Sequence, residues 1–355
     1  MKLSTLKSIR NIVNRFATRS PLAILNCFWI TKEFLYFTDA RLHVKVRHSF
    51  PFKDGTESIT VRSDHFLQVM ENITPPFFIN CPAGHNIIFE QPESSRTLRN
   101  ENMDGTTEYP AIMESTGMEP IFNITAHELA YMNIASQFVS DDDLRPLMGA
   151  VCVGKNYIVA SDAHMLYHRK IGISEDVEVL FDRRAIKLMM LFSNQTFQIG
   201  RNSKNIFAIS EDITIFWRMI EETANNTLKG YPNWKTVIPK VTHSIILPVK
   251  ETIAALKSVK FALNAATHQV AFELKENKLK ITAKDLDIEL IASESVNVIN
   301  SDNNTLSFGM KHDFVMRILK CFQDEGYSQI SLGYIDPTRA FLFGEQLLCM
   351  PMLLN

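Results

Sequence analysis

The fold of this chain can be inferred from the stretch Asn156-Tyr-Ile-Val-Ala-Ser161-Asp162-Ala-His164-Met-Leu166, because two other stretches nearly repeat it. They are Glu33-Phe-Leu-Tyr-Phe-Thr38-Asp39-Ala-Arg-Leu42 and Asn277-Lys-Leu-Lys-Ile-Thr282-Ala-Lys-Asp285-Leu286. Their hydroxyl residues lie 123 and 121 positions apart, which is close to one third of the 355-residue chain. A period of this length predicts one structural unit used three times in tandem.

The same order of hydrophobic periodicities recurs in each third: a helix, alternating strands, a second helix and more strands. A Tyr-Pro pair at 109–110 and again at 231–232 marks the ends of the first two thirds. The predicted fold class is α+β, with three tandem copies of a domain in which two helices pack on antiparallel sheets. The predicted domains are residues 1–117, 118–240 and 241–355.

Six segments carry the helical pattern. They are residues 1–20, 62–73, 125–139, 181–192, 248–262 and 308–322. Ser63, Asp182 and Asp313 are available as N-caps of the second helix in each third. The polar stretch from Ser94 to Glu108 lacks periodicity and is predicted to be an exposed loop.

The composition is typical of a globular protein, with 46% hydrophobic residues. No apolar stretch has the length of a membrane helix. Five cysteines are scattered singly, and this pattern predicts reduced, mostly buried thiols and a cytoplasmic protein. The basic, acid-free segment 1–20 has two interpretations: an organelle-targeting peptide, or the first helix of the first repeat.

Charge is distributed unevenly along the chain. The net charge is only −2, but the six predicted helices together carry +9 and the rest of the chain carries −11. On the first helix Lys7, Arg10 and Arg15 lie opposite the apolar stripe, and Lys250 and Lys257 share one face of a later helix. A single helix with this pattern would be read as an ordinary solvated face. Repetition over several helices predicts a cationic surface that contacts the phosphate backbone of a nucleic acid without reading base sequence.

Evidence for catalysis in the sequence is weak. Ser161, Asp162 and His164 could be offered as a hydrolase site, but neighbouring residues on one strand and turn point apart, and a turn stabilised by Asp162 explains them better. The run 141–143 of three aspartates lacks the glycine and distal glutamate of a calcium loop, so no metal or other cofactor is predicted. We therefore expect a protein that is not an enzyme.

As an ordered set, four motifs resemble the bacterial DNA polymerase III beta subunit, the beta sliding clamp family. They are Leu144-Arg-Pro-Leu-Met-Gly149, Ala160-Ser-Asp-Ala-His-Met-Leu166, Gly230-Tyr-Pro-Asn-Trp-Lys-Thr-Val-Ile-Pro239 and Met350-Pro-Met352. The match is clearest after residue 120. The resemblance implies a DNA sliding clamp, a processivity factor in which two chains join head to tail as a homodimer. Twelve helices would then line a six-domain ring around duplex DNA.

The resemblance also implies a pocket that takes short, mostly apolar peptides of partner proteins. The matching positions are Met148, Ser161, Ala163, His164, Leu166, Pro232, Thr236, Val237, Leu348, Met350, Pro351 and Met352. The implied partners are duplex DNA, the DNA polymerase catalytic subunit, the clamp loader, other proteins with a clamp-binding motif and a second copy of this chain. No membrane partner is implied.

Two further sets of residues are expected to have roles in a clamp. The DNA-facing set is Lys7, Arg10, Arg15, Arg19, Arg145, Arg183, Lys250 and Lys257, and the dimer-interface set is His65, Met70, Phe261 and Ala262. The chain departs from the family pattern at Ala163, where glycine is usual, at Leu353, where arginine is usual, and at the added Asn355. Two alternatives remain: a hydrolase that uses Asp162 and His164, and a clamp-like monomer that binds partner peptides without encircling DNA.

Overall fold

The structure is a computed structural model of the chain. It describes residues 2–13, 22–82, 86–102, 109–110, 117–221, 223–224, 227–228, 230–301 and 303–354. Six α-helices occur among these residues: α1 (Leu3–Val13), α2 (Ser63–Asn72), α3 (Ala126–Ala135), α4 (Arg183–Met190), α5 (Val249–Val259) and α6 (His312–Asp324). Each lies within one of the six segments that carry the helical pattern or overlaps it closely.

The strands are short. They are β1 (Cys27–Thr31), β2 (Phe34–Thr38), β3 (Leu42–Arg47), β4 (Ser58–Arg62), β5 (Phe78–Asn80), β6 (Ile87–Glu90), β7 (Ser95–Leu98), β8 (Glu119–Ile124), β9 (Ala150–Gly154), β10 (Tyr157–Ser161), β11 (Met165–Lys170), β12 (Val179–Asp182), β13 (Phe197–Arg201), β14 (Asn205–Ile209), β15 (Ile213–Arg218), β16 (Thr223–Ala224), β17 (Thr227–Leu228), β18 (His243–Pro248), β19 (Gln269–Lys275), β20 (Lys278–Asp285), β21 (Leu290–Asn297), β22 (Leu306–Lys311), β23 (Gln329–Tyr334), β24 (Phe341–Phe343) and β25 (Leu347–Cys349).

The chain forms two compact units. Unit 1 contains Met1–Asn133, Val153–Lys155 and Ile173–Ile220, and unit 2 contains Ile134–Cys152, Asn156–Gly172 and Glu221–Asn355. The α+β class is confirmed, because antiparallel sheets and a few helices make up both units. The division into three domains at residues 117 and 240 stays a prediction.

Unit 1 is built on one eight-stranded sheet with the order β4-β1-β2-β3-β15-β14-β13-β8. Its centre joins the first third of the sequence to the second, since β3 and β15 pair antiparallel. Helix α1 packs against α2 and α4 through Leu6, Ile9 and Val13, which are buried. A three-stranded sheet, β5-β6-β7, belongs to the same unit and leaves β7 at its edge.

Unit 2 contains six consecutive strands of a second sheet, β10-β11-β25-β24-β23-β18, and a four-stranded sheet, β21-β20-β19-β22. Helix α5 buries Val249, Ile253 and Leu256 and packs against α6 and β21. The strand β21 lies at one edge of its sheet, where its outer N–H and C=O groups have no neighbouring strand in that sheet.

Several details differ from the sequence predictions. Of the three predicted N-caps only Asp182 caps a helix, accepting a hydrogen bond from the N–H of Arg184 at 2.7 Å. Ser63 is the first residue of α2 and accepts from Arg10, and Asp313 lies inside α6. The predicted loop from Ser94 contains the strand β7, because pairing with β6 compensates for its weak pattern.

The third copy of the repeated stretch is also built differently. Thr38 and Ser161 are the last residues of β2 and β10, whereas Thr282 lies in the middle of β20 and contacts Ser293 across the strand pair at 3.0 Å. Because β20 continues to Asp285, the turn of the third copy comes later. The repeat is therefore closest between the first two copies.

The helices carry less positive charge than the sequence segments predicted. Within the bounds of α1 to α6 lie nine lysines or arginines and six aspartates or glutamates, a formal charge of +3 instead of +9. The predicted segments extend past the helix ends and include cations such as Lys2, Arg62, Lys260 and Lys311. Arg15 lies outside the described residues.

All five cysteines are free and buried, as the sequence predicted. Burial is the main cause that raises the pKa of the Cys27, Cys321 and Cys349 thiols to about 12, so these three are not reactive thiolates at neutral pH. Among the described helices, none has the length and apolar composition needed to cross a membrane.

Candidate functional site

The turn between β10 and β11 is stabilised by its own side chains. Asp162 Oδ1 accepts hydrogen bonds from the backbone N–H groups of His164 at 2.9 Å and Met165 at 2.6 Å. Ser161 Oγ donates to the carbonyl of Met165 at 2.8 Å and accepts from the N–H of Ala163 at 3.2 Å. Short polar side chains that bond to nearby backbone favour such turns. The repeated motif thus encodes a local structure.

The turn between β2 and β3 has the same construction. Asp39 Oδ1 accepts from the N–H groups of Arg41 at 3.0 Å and Leu42 at 2.8 Å. Thr38 Oγ1 accepts from the N–H of Ala40 at 2.9 Å. A hydroxyl residue, an aspartate and an alanine therefore produce one turn at equivalent places in the two units.

The alanine of each turn has a left-handed backbone. The φ angle is 73° at Ala40 and 76° at Ala163. An alanine pays roughly 1–2 kcal/mol in this region, which glycine enters freely. The aspartate hydrogen bonds hold both turns in place despite this cost. The departure from glycine at Ala163 therefore leaves the turn geometry intact.

A cleft opens beside the second turn, wholly within unit 2. It holds about 630 Å³ of space not occupied by protein atoms, part of it open to solvent. Its lining is mostly apolar. The lining residues are Met148, Ser161, Ala163, His164, Met165, Leu166, Tyr231, Pro232, Asn233, Trp234, Val237, Ala340, Leu348 and Met350.

Two strands and a short helix position this lining. Leu166 on β11 lies directly opposite Leu348 on β25, and the N–H of Met350 donates to the carbonyl of His164 at 2.8 Å. A 3₁₀-helix, Trp234–Val237, forms another part of the lining. The ring of Trp234 lies 5.1 Å from that of Tyr157, so the short helix is anchored on the sheet by an aromatic contact.

The structure brings nine of the twelve predicted pocket residues together around this cleft. Thr236, Pro351 and Met352 do not line it. Thr236 donates its hydroxyl hydrogen to the carbonyl of Asn233 at 2.8 Å. After Met350 the chain turns away, because the N–H of Met352 donates to the carbonyl of Gly309 on β22 at 2.8 Å.

Five lining residues were not among the predicted pocket residues. Met165, Tyr231, Asn233 and Trp234 lie inside the sequence motifs that carry the family resemblance, so their neighbours in sequence could have indicated them. Ala340 precedes β24 and has no sequence signal. Its place in the lining follows from sheet pairing alone.

The equivalent position in unit 1 is filled. His43 on β3 lies opposite Phe216 on β15, as Leu166 lies opposite Leu348 in unit 2. The two rings stack face to face with centroids 4.3 Å apart and planes 2° apart. Burial lowers the pKa of His43 to about 4, so the ring is neutral at pH 7 and packs as an aromatic residue.

A buried ion pair further closes the first turn. Arg184 of α4 binds Asp39 Oδ2 through Nη1, and Nη2 lies 3.0 Å from Asp182 Oδ2. The side chain of Asp39 is 0% exposed and that of Arg184 is 13% exposed. Among the described residues, Asp162 of the second turn has no such ion-pair partner. The two turns are alike in their hydrogen bonds, and the second borders the open cleft.

The second turn lacks the geometry of a hydrolase. Ser161 Oγ and Asp162 Oδ1 bond to backbone groups of the turn, and the His164 ring stacks on Phe314 with centroids 5.8 Å apart. No nucleophile, base and carboxylate converge here. Among the described residues, no group of three His, Cys, Asp or Glu side chains could hold a metal ion.

The predicted DNA-facing residues have different environments. Lys250 and Lys257 are exposed on one side of α5, and Arg183 is half-buried at the start of α4. Lys7 forms an ion pair with Glu71, Arg10 Nε donates to Ser63 Oγ at 3.1 Å, and Arg145 Nε lies 3.6 Å from Asp142. Arg15 and Arg19 lie outside the described residues. Of the predicted set, Lys250 and Lys257 are exposed and have no ion-pair partner among the described residues.

The predicted dimer-interface residues differ in exposure. Phe261 is 68% exposed, His65 is exposed and Met70 is half-buried. Ala262 is fully buried inside unit 2 and offers no surface to another chain, because its short side chain points into the core.

Comparison with known proteins places the fold. No protein-family model and no curated protein matches the sequence. Solved structures match over 99% of this chain and 97% of their own. They include the DNA polymerase III subunit beta from Pseudomonas aeruginosa (19% identity, TM-score 0.83), the beta subunit from DNA polymerase of Streptococcus pyogenes (15%, 0.84) and the Helicobacter pylori beta clamp bound to a DNA ligase peptide (16%, 0.80). The chain therefore has the fold of the DNA polymerase III beta sliding clamps.

Proposed function

We propose that this chain is a DNA sliding clamp, a non-catalytic processivity factor that encircles duplex DNA and tethers a DNA polymerase to it. The observation that carries the proposal is the clamp fold over 99% of the chain. The predicted three-domain repeat fits this proposal, because two chains with three domains each could close a ring of six similar domains. The site of action is then the cytoplasm, where the DNA is.

DNA contact in this proposal is electrostatic and weak. Lys250 and Lys257 on α5 provide exposed ammonium groups seven residues apart on one helix face. The helices carry a formal charge of only +3, so the complex is retained by topology and not by tight binding. Contacts of this kind go to phosphates, carry no sequence preference and weaken as salt rises.

Two free sheet edges are suited to close the ring. Strand β7 is the edge of its sheet in unit 1, and β21 is the edge of its sheet in unit 2. Arg99 directly follows β7, and its side chain is 72% exposed. Glu289 directly precedes β21, and Glu294 lies in it. We propose that β7 of one chain pairs with β21 of the other, with Phe261, His65 and Met70 near the seam.

The cleft in unit 2 is proposed to hold short peptides of partner proteins. The Helicobacter pylori clamp was solved with a DNA ligase peptide, so a protein of this fold can bind one. Apolar side chains such as Met148, Leu166 and Met350 line the cleft, and methionine adapts to peptides of different shape. The proposed users of the cleft are the polymerase catalytic subunit, the clamp loader and other proteins with a clamp-binding motif.

Retention on circular DNA tests the ring. When the protein is loaded on a nicked circular plasmid by a clamp loader, gel filtration is expected to recover it with the DNA, because a closed ring cannot leave a closed circle. Cutting the plasmid with a restriction enzyme is expected to release it, since the ring slides off the ends. Equal loss from the circular and the linear plasmid would contradict the proposal.

Substitution of Met350 tests the cleft. Met350→Ala removes apolar surface that a bound peptide would bury, and we expect peptide affinity to fall by about 1–2 kcal/mol, or roughly five- to thirtyfold. His164→Ala is expected to weaken binding in the same direction. Calorimetric titration with a polymerase C-terminal peptide measures both, with Leu22→Ala as the control because Leu22 is 58% exposed in unit 1 and does not line the cleft. Unchanged affinity in both cleft variants would refute this assignment.

A further inference from the structure

The lining of the cleft in unit 2 contains no lysine, arginine, aspartate or glutamate. The residues of a peptide that enter the cleft are therefore selected by shape and apolar surface, because no formal charge in the lining can attract or repel them. Selection by charge is left to the side chains around the opening. Two lysines lie there, each held against an aromatic ring that belongs to the cleft or contacts it.

Lys235 is the first of these two lysines. It belongs to the 3₁₀-helix Trp234–Val237, and its ammonium nitrogen lies 5.7 Å from the ring centre of Trp234 and 5.3 Å from that of Tyr157. Trp234 itself lines the cleft. Contact between an ammonium group and two aromatic faces restricts the long side chain and keeps its charge beside this part of the opening.

Lys311 is the second. Its ammonium nitrogen lies 5.0 Å from the ring centre of Phe314, and the Phe314 ring stacks on the ring of the lining residue His164 at 5.8 Å. Lysine, phenylalanine and histidine thus form a short stack that ends at the cleft.

Neither lysine has a carboxylate partner among the described residues. Asp313, two residues after Lys311, is engaged elsewhere, at 3.1 Å from His312 and 3.3 Å from His268. Asp162, which lies between two lining residues, accepts hydrogen bonds within its own turn. Both ammonium groups are therefore positioned by rings and still able to accept a carboxylate on their solvent side.

We infer that the partners of this cleft carry aspartate or glutamate on the segments that flank their apolar anchor, with Lys235 and Lys311 as the residues that select them. The inference rests on the proposed peptide-binding function of the cleft. It names the partner class by charge: an apolar core enters the cleft, and flanking carboxylates meet the two ring-held ammonium groups. Such exposed pairs add specificity and speed of association more than affinity.

Three synthetic peptides test this inference by fluorescence anisotropy with the full chain. They share one apolar core of leucines and phenylalanine and carry two aspartates, two serines or two lysines on each side. The aspartate peptide is expected to bind on the order of tenfold more tightly than the lysine peptide at low salt, and to lose most of this preference in 0.5 M NaCl.

Variants assign the preference to the two lysines. Lys235→Gln and Lys311→Gln are each expected to reduce the aspartate preference about two- to fivefold and to leave the serine peptide unaffected. Lys278→Gln, an exposed lysine on β20, is the matched control and is expected to change nothing. Circular dichroism of each variant verifies that the fold is kept.

The outcomes separate the inference from the proposed function. In one outcome the three peptides bind equally well, and Met350→Ala weakens the binding of all of them. The charge inference is then wrong, and the peptide-binding cleft stands. If none of the three binds, the proposed cleft function fails together with the inference. If single-stranded DNA binds through the same two lysines while the peptides show no preference, the lysines serve phosphate and the inference is overturned.

Discussion

Replacing Arg184 by alanine is expected to lower the free energy of unfolding by about 3–5 kcal/mol, because the substitution leaves the carboxylate of Asp39 buried without its cation. The Asp39 side chain is 0% exposed, and the remaining hydrogen bonds from Arg41 and Leu42 come from neutral backbone groups. Removing one partner of a buried pair costs far more than the intact pair contributes, since the other charge cannot reach water.

Urea denaturation followed by circular dichroism measures this effect, with the transition midpoint compared at equal slope. Lys187→Ala is the matched control, because Lys187 lies on the same helix and is exposed, and a change within about 0.5 kcal/mol is expected. The double variant Asp39→Asn, Arg184→Met removes both charges and should recover part of the loss. If Arg184→Ala is no less stable than Lys187→Ala, the pair does not hold unit 1 together.

The two similar turns have different surroundings, and both the ion pair and the neighbouring cross-strand pair contribute to the difference. Both turns consist of a hydroxyl residue, an aspartate and a left-handed alanine, so the backbone alone would permit a cleft beside either one. In unit 1 the stacked rings of His43 and Phe216 fill the equivalent cross-strand position, and Arg184 seals the aspartate. In unit 2 the smaller pair Leu166 and Leu348 leaves space. Side-chain volume at this cross-strand pair, together with the ion pair, therefore distinguishes the filled position in unit 1 from the open cleft in unit 2.

Much of this architecture was predictable from the sequence, because it depends on local signals. Hydrophobic periodicity predicted all six helices, and the aspartate turns follow from short-range hydrogen bonds that residues such as Asp39 and Asp162 make with their own backbone. The helix ends were less predictable. Charged residues beyond the ends, such as Lys260 and Lys311, were counted as helical, so the charge of the helices was overestimated.

The features that the sequence did not reveal depend on contacts between distant residues. The ion pair between Asp39 and Arg184 joins positions 145 residues apart, and the strand β7 forms because β6 offers a partner. Ala340 lines the cleft only because of the strand order of its sheet. Pairing of this kind is set by the packing of the whole unit, which no short window of sequence encodes.

Replacing Ile291 by lysine is expected to convert the proposed dimer into single chains at micromolar concentration. Ile291 lies on the edge strand β21 and is 64% exposed, so the substitution costs the isolated fold little. Leu286 and Ile288, at 69% and 63% exposed, continue the apolar patch in the preceding turn. A patch of this kind at a sheet edge is covered by another chain in the proposed ring, and a lysine there would bury an unpaired charge.

The expected loss is about 3 kcal/mol at each of the two seams, or roughly a hundredfold weaker association per seam, and both seams change at once in a head-to-tail dimer. Sedimentation equilibrium measures the mass directly, and the circular-plasmid assay should show the variant released at the same rate from circles and from linear DNA. Leu144→Lys is the control, because Leu144 is 88% exposed and lies in a turn outside the strands. If the parent chain already has the mass of a single chain, the clamp-like monomer replaces the ring. If Ile291→Lys remains a dimer, β21 is not the seam, and the closure of the ring must use another edge.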